Sequence, residues 1–86
     1  MKGEQMSSAS MRKELILHDA EKLQKEFGLP DREAEVVALY ALGKTQQAIT
    51  EELCITPATV RAHIKHVYAK TDLHSRQEII DHMSGA

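Results

Sequence analysis

The chain has 86 residues, a formal net charge of −2, no tryptophan, one phenylalanine and two tyrosines, which leaves room for one small domain with an aliphatic core. No apolar run approaches the ~20 residues that span a bilayer, the N-terminal MKGEQMSSAS lacks the apolar stretch of a signal peptide, and a lone cysteine excludes an internal disulfide and suits a reducing cytoplasm. Charge is polarised: acids outnumber Lys and Arg over residues 1–56, whereas residues 57–71 carry Arg61, Lys65 and Lys70 and no acid.

Gly28, Pro30, Gly43 and Pro57 punctuate the sequence. The stretches between them read as helices, and none shows the period-2 pattern of a strand. The expected fold is all-α, a small helical bundle preceded by one extra N-terminal helix. Residues 1–10 are expected to be a flexible lead or a remnant of cloning. The extra helix is expected over residues 11–27, with Ser10 as N-cap and Gly28 closing it. Its stripe of Ile16, Ala20, Leu23 and Phe27 must cover either the rest of the domain, the favoured expectation, or another copy of itself.

A second helix follows Leu29-Pro30, from residue 31 to about 42. Asp31, Glu33 and Glu35 suit the positive end of its dipole. Val36, Val37, Leu39, Tyr40 and Leu42 give it so broad an apolar face that it belongs at the centre of the bundle. A short third helix, about residues 46–53, starts at Thr45 as N-cap and carries Ala48, Ile49 and Leu53 as apolar contacts. Cys54-Ile55-Thr56 leaves room only for a tight turn, with Cys54 expected as a small inward-facing apolar residue. Thr56-Pro57 is a strong start signal, since threonine caps and proline at the first helical position loses no hydrogen bond.

The fourth helix is expected over residues 57–71. Val60, Ile64 and Val67 fall at i, i+4, i+7 and make its inner face. That pattern forces Arg61, Ala62 and Lys65 outward, with His63 and His66 at the flanks. Asp72 tolerates the left-handed conformation that ends the helix. Ser75-Arg76-Gln77-Glu78 is a capping box that opens a last helix to about residue 83.

Two short helices joined by a tight turn, the second basic on its outer side, form a helix-turn-helix pattern. A helix of that kind fits the major groove of B-form DNA, where arginine or lysine reaches guanine O6 and N7. An acidic total is no obstacle, because positive charge is needed only where phosphates lie. Residues 29 to about 83 resemble the C-terminal DNA-binding domain of LuxR/GerE-type bacterial transcription regulators, through "LPDREAEVVALYALGKT", "ITEELCITPATVRAHIKHVYAK" and "LHSRQEII". The run Thr59-Val60-Arg61-x-His63, then Lys70, then Ser75-Arg76-x-Glu78 is the specific part. The resemblance implies a four-helix bundle whose third helix, here residues 57–71, reads the groove. It implies base contacts from Arg61, Ala62 and Lys65, and phosphate contacts from Thr45, Thr59, His63, His66 and Lys70. It also implies a dimer interface at Ile79, Ile80 and Met83 on the last helix.

Three positions depart from the family pattern. Pro30-Asp31 stands where Thr-Pro usually opens the first family helix, so its capping must differ. Ala48 replaces a glutamate capping partner. Thr71-Asp72 replaces an apolar residue and glycine.

His63 and His66 are i, i+3 on one helix, a spacing that can hold a metal. No third ligand is evident with Cys54 turned inward, so no metal and no cofactor are expected. A phosphate-facing role for the two histidines instead predicts DNA affinity that rises as pH falls through about 6.5. Gly43-Lys44-Thr45 echoes the end of a P-loop, but Ala38 stands where the motif needs its first glycine. Nothing resembles a nucleophile–base pair, and an enzyme is not expected. The expected partners are double-stranded DNA and a second copy of the chain, with RNA polymerase a further candidate, no membrane contact, and a cytoplasmic location. Two rival readings remain: a sigma-factor region-four-like promoter reader, and a protein-interaction module that does not touch DNA.

Overall fold

A computed structural model describes the backbone of residues 8–85 and the side chains of residues 15–85. Five helices occupy it: α1 (Ser8–Phe27), α2 (Asp31–Ala41), α3 (Gln46–Leu53), α4 (Pro57–Thr71) and α5 (Arg76–Ser84). The described residues contain no strand and no helix long and apolar enough to cross a membrane. The all-α expectation holds. The first helix starts earlier than expected, so Ser10 lies inside α1 and does not cap it. Residues 8–10 of the expected lead are therefore helical, and residues 1–7 lie outside the described residues.

The helix ends follow local chemistry. Thr45, Thr56 and Ser75 each accept from the backbone N–H three residues on, at 3.1 Å in every case. Glu78 completes the last cap by accepting from the His74 N–H at 2.7 Å, one residue before the position a standard capping box uses. Pro30 caps α2 without any side-chain bond, as its sequence implied. Gln24 compensates from α1: its amide donates to the Leu29 carbonyl at 3.0 Å and to Asp31 Oδ1 at 2.7 Å. Asp72 ends α4 in the left-handed region at φ 60°.

α2 lies at the centre, because its two apolar sides feed two adjoining clusters. Val37, Ala38 and Ala41 pack with Ala20 and Leu23 of α1, Val67 of α4, and Ile79 and Met83 of α5. Val36 and Leu39 pack with Ile49 of α3 and with Val60 and Ile64 of α4. Leu23, Ile49 and Ile79 are among the largest fully buried side chains, each contributing about 1.5–3 kcal/mol of transfer free energy. The α1 stripe thus covers its own domain, as favoured from the sequence. Its buried members, Ala20 and Leu23, close over α2 and α5.

Tyr40 and Tyr68 pack against both clusters. Their hydroxyls meet at 2.9 Å, with the rings edge to face at 6.3 Å. Burial first, then the Tyr40 hydroxyl, push the Tyr68 phenol well above its ordinary range. The Arg76 guanidinium lies over the Tyr40 ring at 4.2 Å and donates to the Lys44 carbonyl at 3.4 Å. The start of α5 is thereby fastened to the end of α2.

Candidate nucleic-acid interface

α3, a three-residue turn and α4 form the helix-turn-helix. The turn begins at Cys54, which caps α3 in the left-handed conformation at φ 55° with its N–H on the Thr50 carbonyl. That geometry corrects the expectation of an inward cysteine. Reversing the chain in three residues needs a positive φ at the first of them, and this swings the side chain into solvent. Its thiol reaches only the Glu51 carbonyl, at 3.8 Å. Gly43-Lys44-Thr45, the P-loop echo, links two helices and serves as the approach to the Thr45 cap.

The inner face of α4 is as its spacing predicts. Val60 is 0%, Ile64 8% and Val67 1% exposed. Arg61, Ala62 and Lys65 are exposed on the other side. Among the described residues neither Arg61 nor Lys65 has an ion-pair partner. Two cations thus project from the outer side of a capped helix into solvent. Thr45 is exposed at the start of α3. Thr59 is half-buried, and its hydroxyl is held by Thr56 Oγ1 at 2.8 Å.

His63, His66 and Lys70 differ from Arg61 and Lys65. All three meet one acid from α2. Glu33 Oε2 lies 3.4 Å from His63 Nδ1 and 3.0 Å from His66 Nδ1, and Lys70 Nζ donates to Oε1 at 3.3 Å. Glu33 is 4% exposed. Burial raises its pKa, but hydrogen bonds from His66, His63 and Lys70, with the Lys70 charge, outweigh that and hold it below the ordinary value. A carboxylate only accepts, so each imidazole turns an Nδ1–H toward it. The sequence reading placed Glu33 among acids at a helix start and missed this role. A signal was present: Glu33 shares a face with Val36 and Val37, and residues 63, 66 and 70 form one stripe at i, i+3, i+7. The two histidines expected to face phosphate thus also meet an internal carboxylate through Nδ1.

Of the residues expected at a dimer contact, two are buried within the single chain. Ile79 is 0% and Met83 6% exposed, both inside the cluster closed by Ala20 and Leu23 of α1. Ile80 is half-buried against the same cluster. In the single chain α1 packs on this side of α5.

Residues 28–83 match the family described as "Bacterial regulatory proteins, luxR family". Among curated proteins, the chain is 39% identical over 63 residues to the transcriptional regulatory protein LiaR of Bacillus subtilis, covering 73% of this chain and 30% of that protein. It is 32% identical over 71 residues to the monoamine regulon transcriptional regulator of Klebsiella aerogenes, covering 78% and 30%. It is 37% identical over 54 residues to the oxygen regulatory protein NreC of Staphylococcus haemolyticus, covering 63% and 25%. The chain thus spans less than a third of the length of each. No solved structure gives a significant match.

Proposed function

The chain belongs to the luxR family of bacterial regulatory proteins, and from that premise we propose that it reads double-stranded DNA with the outer side of α4 in the major groove. The coarse function follows from the family: a helix-turn-helix of transcription regulation, not an enzyme. The finer reading rests chiefly on one observation, that burial of Val60, Ile64 and Val67 leaves Arg61, Ala62 and Lys65 facing outward from a capped helix. Arginine and lysine there match the acceptor pair of guanine, and the small Ala62 lets the helix approach closely. Thr45 at the start of α3 and His66 and Lys70 along the flank of α4 supply phosphate contacts, with Glu33 tempering the charge of the last two. Thr59 and His63 are assigned supporting contacts from their half-buried positions.

Two copies bind as a pair on half-sites about one helical turn apart, with α5, whose Ile80 is only partly buried, as the element that carries the contact. The site of action is the bacterial cytoplasm, where RNA polymerase is a candidate second partner. Selection of bound duplexes from a random pool tests the reading. It should return a preferred half-site, repeated at a fixed spacing. Absence of any binding at low salt would overturn it, because even non-specific affinity is strongest there.

A further inference from the structure

We propose that Glu33, His63 and His66 form a binding site for a divalent first-row transition-metal ion, of which Zn2+ is the type. The helix-turn-helix reading assigns no such site, and the proposal does not depend on it. The three side chains come from two helices, and their donor atoms all lie within 4.8 Å of one another. Tetrahedral coordination with metal–ligand bonds of 2.0–2.1 Å places ligand atoms about 3.3 Å apart. Glu33 Oε2 is already 3.4 Å from His63 Nδ1 and 3.0 Å from His66 Nδ1, so two edges of the polyhedron exist before any ion arrives.

The donor chemistry selects the ion class. Two imidazole nitrogens and one carboxylate oxygen suit zinc, cobalt, nickel or copper, whereas calcium and magnesium favour all-oxygen shells. The site has a closed back and an open front. The Glu33 side chain is 5% and the His63 side chain 20% exposed, but the His66 side chain is 58% exposed. The fourth position therefore faces solvent and takes a water. Lys70 holds the other carboxylate oxygen at 3.3 Å, which fixes Oε2 toward the imidazoles as an outer partner does in a metal site. Its own side chain is 40% exposed and can swing toward water when the ion adds positive charge. On binding, each imidazole gives up Nδ1 to the ion and carries its remaining proton on Nε2. The bound ion links α2 to α4.

The test uses the chain freed of metal by a chelator, then titrated with Co2+ and Zn2+. One equivalent of Co2+ should develop the visible absorption of a low-coordinate ion, and Zn2+ should displace it. Zn2+ should also raise the Tm, since only the folded chain holds the three ligands together and so binds the ion more tightly than the unfolded chain. His66→Ala, at an exposed imidazole, should keep the helical fold and lose more than ten-fold in affinity. His74→Ala and His82→Ala, elsewhere on the surface, should bind as the unaltered chain does. In the unaltered chain, imidazole resonances of His63 and His66 should shift with Zn2+ in preference to those of the other histidines. Failure of the unaltered chain to bind either ion, binding unchanged in His66→Ala, or shifts confined to other histidines would each overturn the proposal.

Discussion

Glu33 Oε2 and His66 Nδ1 lie 3.0 Å apart, joining the start of α2 to the flank of α4. The same carboxyl holds His63 and Lys70, so removing its charge releases three groups at once. Glu33→Gln should cost about 1–3 kcal/mol of stability, read from urea denaturation with a chelator present. It should also strengthen binding to all DNA sequences alike, since Lys70 and the histidines lose their internal counter-charge. Unchanged stability would contradict the account of Glu33 as a tie between helices.

The pH dependence of stability follows from the same acid. Its folded pKa is lowered from 4.5, so the unfolded chain binds this proton more readily than the folded one. The stabilisation is complete above 4.5 and is lost as pH falls through the lowered folded value. Denaturation midpoints below pH 5 should therefore fall more steeply for the unaltered chain than for Glu33→Gln. Parallel acid limbs would show that another group controls this range.

Arg61→Ala and Lys65→Ala should each cost ~1–3 kcal/mol on a preferred duplex and relax the sequence preference. Lys70→Ala should weaken all sequences alike and reduce the salt slope by no more than about one, because Lys70 is already shared with Glu33. Binding isotherms on selected and random duplexes at several salt concentrations check this. Equal losses on both duplexes for all three variants would remove the division between base and phosphate contacts.

Tyr40 and Tyr68 share one hydrogen bond at 2.9 Å, so their single replacements should not add. Tyr40→Phe and Tyr68→Phe each leave one partly buried hydroxyl without its partner, at about 1 kcal/mol. The double variant should lose clearly less than the sum. Strict additivity in a denaturation cycle would show the pair to be energetically independent.

Cys54→Gly should raise stability by about 0.5–1 kcal/mol. The left-handed conformation costs a non-glycine residue roughly 1–2 kcal/mol, and the added chain freedom of glycine offsets part of the relief. The exposed thiol of the unaltered protein should also react with a thiol reagent without unfolding. A destabilised glycine variant would mean that the Cys54 side chain contributes packing that its exposure denies.

The local elements were legible from sequence because their causes are local. The caps at Thr45, Thr56 and Ser75 act over three residues. The inner face of α4 is set by the spacing of Val60, Ile64 and Val67 along one helix. From these alone the outward direction of Arg61 and Lys65 follows, and with it the basic face of an acidic chain.

What only the tertiary structure decided depends on residues far apart in the chain. Three acids stand near the start of α2; periodicity puts Glu33 on the face of Val36 and Val37 but does not tell which helix that face meets. The packing of α2 on α4 selects Glu33 and supplies the third donor that the histidine pair lacked. The same holds for Ile79 and Met83. Their helix is amphipathic whatever covers it, and in the folded chain Ala20 and Leu23 of α1 pack against them. Hydrophobic burial carries no direction of its own, so an apolar stripe announces that it will be covered, and the assembled fold determines by what.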